Sequence, residues 1–304
     1  MTLKDLSTRI KNEFNEISSA FFDQSLNISY VKSTDRIFGE GGPMFGANIV
    51  KYSESNFQYF YIYNKYLISN LDIVHLRVLK SNFKRLDTKE DLLSLDFIKQ
   101  AVDSDEAVVK TALFYELNFI SNLFVFFHEC GHLNQIIPTD QENIKTNHFS
   151  EFNSDYYALS KILNYYYTLR KKYAEIYLKK TAVFTNEHNL IRCVIVTSLI
   201  VIYFECLSNP DKTDTVSHPA IKKRFCYLIY QMQIKLETNF DFLFTHNKLS
   251  DFLVDIFNTL DFLESKIFIK DSFVFSDILG YCVSCLDEVK ESMKASEKFD
   301  QFNR

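Results

Sequence analysis

The sequence predicts an α+β fold that is predominantly helical. Only 6 Gly and 4 Pro occur in 304 residues, so few positions break a helix, and long uninterrupted helices are expected. Segments rich in β-branched and aromatic residues, which are typical of strands, are concentrated in residues 28–80. The composition, with 47% hydrophobic and 24% charged residues, provides ample material for a buried core.

The N-terminal part is predicted to begin with a helix over residues 1–27 and to continue with strands. The predicted strands are residues 27–31, 47–52 and 57–63. They carry the β-branched and aromatic side chains that favour a sheet. Residues 71–79 fit a further strand, with a helix as the alternative.

A glycine-rich run separates the first two predicted strands. Four of the six glycines fall within residues 39–46, which also contain a proline, and this composition predicts a loop. The run contains neither a G-x-G-x-x-G nor a P-loop pattern, so it is not predicted to bind phosphate.

The most informative motif is the run from His128 to His132, which has the form H-E-x-x-H. On a helix the two imidazoles lie one turn apart on one face and can bind a single Zn²⁺. Glu129 faces the same site and can take a proton from a metal-activated water. Random placement would give this pattern roughly 0.01 times in a chain of this composition. The alternative is a pair of ordinary histidines on a helix.

Two acidic residues downstream complete the predicted site. Glu151 and Asp155 are four residues apart, so they share a face of a helix. A catalytic zinc needs a third protein ligand and an open position for water, which makes Glu151 the predicted ligand. Asp155 would accept the free ring N–H of a zinc-bound histidine. The alternative is an exposed acidic face near a helix start. His148 fits a substitute ligand or pocket residue, but a surface histidine is favoured.

A third motif, Ser217-His218-Pro219 followed by Arg224, comes later in the chain. Pro219 suits the first position of a helix, with Ser217 or His218 as its cap. His218 and Arg224 are donors suited to an oxyanion that develops on a substrate carbonyl. The alternative is a capped surface helix with a basic first half.

Together, and in this order, the three motifs resemble the gluzincin metallopeptidases. The resemblance covers residues 114–224 and is closest to the phage-exclusion Lit-type peptidases and the Ste24/HtpX-type peptidases. It implies a zincin-like catalytic core and places His218 and Arg224 over the scissile carbonyl. Lit-type enzymes are soluble, of similar length, and act on elongation factor Tu, whereas Ste24/HtpX-type enzymes are membrane-embedded. In zincins an edge strand beside the motif helix pairs with extended substrate, and residues 47–52 are the candidate.

The resulting prediction is a zinc metalloendopeptidase that hydrolyses peptide bonds of an intracellular protein by metal-activated water. The predicted zinc ligands are His128, His132 and Glu151. Two alternatives remain. One is a non-catalytic protein that keeps the zinc fold and acts by binding a partner, and the other is a membrane-associated peptidase of the Ste24/HtpX type.

The chain is predicted to form one metallopeptidase domain. It comprises an N-terminal helix with a β-containing part (1–88), a catalytic helical core (89–237) and C-terminal helices (238–304). Beyond residue 88 the predicted helices span residues 90–103, 106–137, 147–180, 187–208, 219–237, 248–266 and 272–296.

Charge and cysteine content bound the remaining possibilities. The net charge of −5 gives no support to nucleic-acid binding. The six cysteines are scattered, which suits reduced thiols in the cytoplasm. The first residues are charged and do not resemble an apolar signal sequence. The pair Cys282 and Cys285 is predicted to be structural. The apolar segment 190–207 holds only twelve uncharged residues between Cys193 and Phe204, whereas a membrane span needs about 20. It is therefore predicted to be a buried core helix.

Overall fold

The structure is a computed structural model, and its described residues confirm the predicted α+β, predominantly helical fold. It describes residues 1–21, 26–32, 39–44, 47–72, 77–78, 112–133, 144–166, 187–207, 219, 223–228 and 231. In chain order the elements are α1 (Leu3–Phe21), β1 (Leu26–Val31), β2 (Gly39–Met44), β3 (Ala47–Ser53), α2 (Ser55–Asn70), β4 (Leu71–Asp72), β5 (Arg77–Val78), α3 (Ala112–Leu133), α4 (Ile144–Asn164) and α5 (Glu187–Leu207). Residues 223–228 are also helical.

Three strands form a mixed sheet in the order β1-β3-β2. β1 runs parallel to β3, and β2 runs antiparallel to it, whereas β4 and β5 form a separate two-residue pair. The strands predicted at residues 27–31 and 47–52 are confirmed. Of the segment 71–79, the four residues of β4 and β5 are in strands.

Two predictions about the sheet are wrong. The glycine-rich residues 39–44 form the strand β2 rather than a loop, because its main chain is bonded to β3 over its whole length and needs no side chains for that. Residues 47–52 lie in the central strand, since β3 is paired on both sides, so they are not an edge strand. Within the described residues, β2 forms an edge, and a proline is tolerated at such an edge because its missing N–H need not face another strand.

The strand predicted at residues 57–63 is also wrong, because these residues lie in the helix α2. Most of its aromatic side chains are buried, including Phe57, Tyr59, Phe60 and Tyr63, and the helix packs against α1 and α3. Burial of rings around the helix outweighs their intrinsic preference for a sheet. The side chains of residues 57–63 do not alternate between buried and exposed, as those of a half-buried strand would.

The helix α3 forms the centre of the described structure. Residues 114–131 are all buried, and the helix packs against α1, α2, α4, α5, β2 and β3. α4 begins slightly before the predicted helix 147–180, and α5 matches the predicted helix 187–208 closely. Every α5 side chain that is described is buried, which explains the apolar sequence of this helix.

Within the described part of the chain, no helix combines the length and the apolar character that crossing a membrane requires. Several predictions lie outside the described residues. They are the helices at 90–103, 248–266 and 272–296, the pair Cys282 and Cys285, and His218.

Candidate metal centre

The C-terminal end of α3 carries the two motif histidines. The helix runs without interruption from Ala112 to Leu133, so His128 and His132 lie one turn apart on one face. Their Nε2 atoms are 3.1 Å apart. His128 and Glu129 are buried, with 4% and 6% exposure, whereas His132 is partly exposed at the helix end. The core helix therefore holds the two imidazoles on one face, the first buried and the second partly exposed.

α4 crosses α3 at very close range beside this pair. A Cβ atom added to Gly131 would lie only 2.8 Å from the Cα of Ser154. The absence of a side chain at Gly131 therefore lets the two helices approach, which brings the acidic face of α4 to the histidines. The signal for this in the sequence was a single glycine inside a segment predicted to be a helix, which the sequence pattern alone did not link to helix packing.

The carboxylate of Glu151 lies against both histidines. Its Oε2 is 3.4 Å from Nε2 of His128, and its Oε1 is 3.5 Å from Nε2 of His132. Tetrahedral zinc ligands at about 2.0–2.1 Å from the ion lie roughly 3.3 Å from one another. The separations of 3.1, 3.4 and 3.5 Å are close to this value, with a different oxygen of the Glu151 carboxylate facing each histidine. The donor set thus fits zinc.

The other nitrogen of each imidazole is bound by α4. Nδ1 of His128 is 3.0 Å from Oδ1 of Asp155, and Nδ1 of His132 is 3.1 Å from Oγ of Ser150. The carboxylate of Asp155 accepts, so Nδ1 of His128 carries the proton and its Nε2 presents a lone pair to the site. The Ser150 hydroxyl can accept in the same way from His132. Two lone pairs 3.1 Å apart favour a cation between them.

The ionisation of these groups suits a metal site. Burial, with a smaller contribution from His128, lowers the pKa of His132 to about 4, so this ring is neutral and able to bind a metal at neutral pH. Burial alone would raise the pKa of Glu151, but the hydrogen bond and charge of His128, with His132 and Arg224, lower it well below its ordinary value. Glu151 is therefore an ionised ligand.

Arg224 is bound to Asp155 rather than exposed toward a substrate. Its Nε donates to Oδ2 at 2.7 Å and its Nη2 to Oδ1 at 2.6 Å, and its side chain is 1% exposed. Its Nη1 is 3.9 Å from Oε2 of Glu151. Against the effect of burial, the charge of Arg224 lowers the pKa of Asp155. Arg224, Asp155 and His128 thus form a buried chain that ends at the candidate metal site.

His148 belongs to the same region. It lies three residues before Glu151 and seven before Asp155, on the same face of α4, and it is 8% exposed. The prediction of a surface histidine is therefore wrong, because the close packing of α4 buries this face. Ser150 is a further site residue that the sequence analysis missed, and an isolated serine gave no signal for it.

A comparison with known families bears on the class of protein. The sequence profile of Peptidase U49 matches residues 75–242, which is more than half of the chain and includes the whole candidate site. The chain belongs to the Peptidase U49 family. This is the Lit-type peptidase family, so the predicted peptidase is confirmed, and its substrates are proteins or peptides. No curated protein and no solved structure matches the chain.

Among the described residues, His128, His132 and Glu151 form the group of this peptidase that can hold a metal ion, with their donor atoms within 4.8 Å of one another. The sequence motifs had proposed these three residues from spacing alone. They come from two helices whose sequences are separated by residues outside the described ranges.

Proposed function

We propose that this member of the Peptidase U49 family is a zinc-dependent endopeptidase that cleaves an intracellular protein. The observation that supports it is the convergence of His128, His132 and Glu151, whose nearest donor atoms are 3.1 to 3.5 Å apart in each pair of residues. Two imidazoles and one carboxylate favour zinc over harder cations. Three protein ligands also leave a fourth position open, which is typical of a catalytic site and not of a structural one.

A zinc ion held there would act as a Lewis acid and make water acidic enough to ionise near neutral pH. Glu129 follows His128 directly on α3 and is buried. In the proposed mechanism its carboxylate accepts a proton from the attacking water and then delivers that proton to the leaving amine. The buried surroundings strengthen these interactions because bulk water is excluded.

For Arg224 the contacts support a positioning role. Its guanidinium is bound to Asp155 through two hydrogen bonds, and Asp155 in turn holds Nδ1 of His128. We therefore assign Arg224 to the orientation of the first histidine and to neutralisation of the two carboxylates. His218 remains the proposed donor to the substrate oxyanion, on the strength of the sequence motif.

The position of β2 supports a binding mode for the substrate. β2 is bonded to β3 on one side, lies at an edge of the described sheet, and packs against α3. An extended peptide can add to such an edge through main-chain hydrogen bonds. β2 therefore replaces residues 47–52 as the proposed substrate-pairing strand.

An intracellular target is supported by the cysteines. Cys130, Cys193 and Cys226 are buried in the described core and form no disulfide. Reduced thiols in these positions suit a reducing compartment, and we propose a cytoplasmic location on this basis.

Elemental analysis of the purified protein tests the proposal directly. Wild-type protein should contain one equivalent of zinc, and His128→Ala should contain little or none. Glu129→Gln should keep its zinc but lose proteolysis, since only the proton carrier is removed. Cleavage mapping in a cell extract treated with wild type or Glu129→Gln would then identify the substrate. Wild-type protein without zinc, or Glu129→Gln with full activity, would contradict the mechanism.

A further inference from the structure

A row of buried polar side chains runs along one face of α3. Asn118, Asn122 and Glu129 are separated by four and seven residues, which places them on the same side of the helix. Both asparagines are fully buried, and Glu129 is 6% exposed. Buried amides in an apolar helix are costly unless they are hydrogen-bonded. This row therefore points to a specific role for the contacts that Asn122 makes.

The side-chain oxygen of Asn122 is bound by Tyr52, on the central strand β3, and its Nδ2 donates to the carbonyl of Asn118 within α3. The Tyr52 hydroxyl donates to Oδ1 of Asn122 at 2.6 Å. The Tyr52 ring is fully buried and lies in edge or tilted contact with Phe14, Tyr30 and Phe57, at centroid distances of 5.3 to 6.2 Å. The hydrogen bond thus joins the sheet to the motif helix at the centre of an aromatic cluster.

The hydrogen bond between Tyr52 and Asn122 bears on the position of more than one strand. In the register of the sheet, Tyr52 is paired with Tyr30 of β1 and with Gly39 of β2. Aromatic packing holds surfaces together but tolerates small displacements, whereas a buried hydrogen bond has a fixed direction and length. The hydroxyl therefore sets where β3, and β2 with it, lies along α3.

We propose that Tyr52 is a positioning residue for the substrate. Its hydrogen bond to Asn122 fixes the edge strand β2 relative to the motif helix, so that a peptide paired with β2 has its scissile bond at the metal site. This inference rests on the proposed function. Burial raises the pKa of Tyr52 well above its ordinary value, so the phenol remains a hydrogen-bond donor throughout the working pH range.

Two zinc-binding probes separate the contribution of the strand from that of the metal. Acetohydroxamate contacts the metal alone, and tri-alanine hydroxamate adds a short main chain that can pair with β2. In wild type the peptide probe should bind about tenfold more tightly or better. Tyr52→Phe should lower this affinity ratio by roughly fivefold to tenfold, while acetohydroxamate binding changes by less than about twofold.

A double variant separates positioning from stability. Tyr52→Phe leaves Asn122 buried without its donor, so the melting temperature should fall. Tyr52→Phe combined with Asn122→Leu removes both polar groups and should recover much of that loss. The affinity ratio should stay low in the double variant, because the directional contact is still missing. A ratio that recovers together with the melting temperature would overturn the proposal.

Tyr166→Phe is the matched control. It removes another buried tyrosine hydroxyl bound to α3, the one that donates to Glu116 at 2.7 Å, but Tyr166 follows α4 and is not part of the sheet. This variant should melt earlier with an unchanged affinity ratio, and an equal fall in the ratio would show that lost stability alone explains the effect.

The wild-type measurements distinguish the two levels of failure. If zinc-loaded wild type fails to bind acetohydroxamate, the proposed metal function fails and the inference with it. If it binds acetohydroxamate but gains nothing from the peptide, the metal site stands and the positioning role of Tyr52 is overturned.

Discussion

Gly131 lies directly against Ser154, so that a Cβ on the glycine would be 2.8 Å from the serine Cα and 3.0 Å from its Oγ. This contact brings α3 and α4 close together beside the motif histidines. Because His132 follows Gly131 and Glu151 lies three residues before Ser154, we expect the separation of the helices here to control the separation of the proposed zinc ligands.

Gly131→Ala should therefore weaken zinc binding. Alanine normally stabilises a helix by about 1 kcal/mol relative to glycine. Here the added methyl group meets backbone, and overpacking should instead destabilise the protein by roughly 1–3 kcal/mol. Zinc affinity should fall about tenfold or more as Glu151 moves away from the histidines. Urea unfolding and chelator competition measure the two effects. A more stable variant with unchanged zinc affinity would contradict this role.

The identity of the third ligand can be tested by a pair of substitutions on one helix face. Glu151→Gln removes the charge that lies 3.4 and 3.5 Å from the two imidazole nitrogens. It should lower zinc affinity by more than about 100-fold, because loss even of outer partners costs about 10–100-fold. His148→Gln is the control and should change zinc affinity by less than about threefold. The reverse ranking would make His148 the ligand.

Asp155→Asn should separate histidine orientation from metal ligation. Asparagine can no longer balance the charge of Arg224, and it presents a weaker acceptor to Nδ1 of His128. Zinc affinity should fall by roughly 10–100-fold. The metal-free protein should also lose about 3–5 kcal/mol, since a buried arginine is left without its carboxylate. Combining Asp155→Asn with Arg224→Met should recover stability but not zinc affinity, and recovery of both would argue against the role given to Asp155.

The stability of the metal-free protein should depend on pH through His132. Its pKa is lowered from 6.5 to about 4 on folding, so the unfolded chain takes up the proton first as the pH falls. Above pH 6.5 the neutral ring makes its full contribution to the free energy of unfolding. As the pH decreases towards 4 this contribution is lost, which lowers the free energy of unfolding by at most about 3 kcal/mol. Urea unfolding of chelator-treated protein at several pH values in this window measures the slope of the free energy of unfolding against pH. His132→Asn should flatten it, and an unchanged slope would assign the titration to another group.

The H-E-x-x-H motif and the Glu151–Asp155 pair were predictable because each lies within a single helix. The periodicity of α3 and α4 puts His128 beside His132 and Glu151 beside Asp155 without reference to the rest of the chain. Residues 57–63 show the limit of the same approach. Their aromatic content is compatible with a strand or a helix, and burial between α1 and α3 selects the helix. The strand β2 was missed because main-chain pairing with β3, and not side-chain pattern, creates it.

By itself, the sequence determined the predominantly helical fold, the spacing of the site residues within each helix and the peptidase family. Only the tertiary structure decided how α4 meets α3 at Gly131, that Arg224 binds Asp155, and that β2 forms the edge beside the motif helix. The physical reason is the distance along the chain over which each interaction acts. Spacing along one helix is fixed by local backbone geometry, whereas contacts between elements depend on how all of them pack together around a common core.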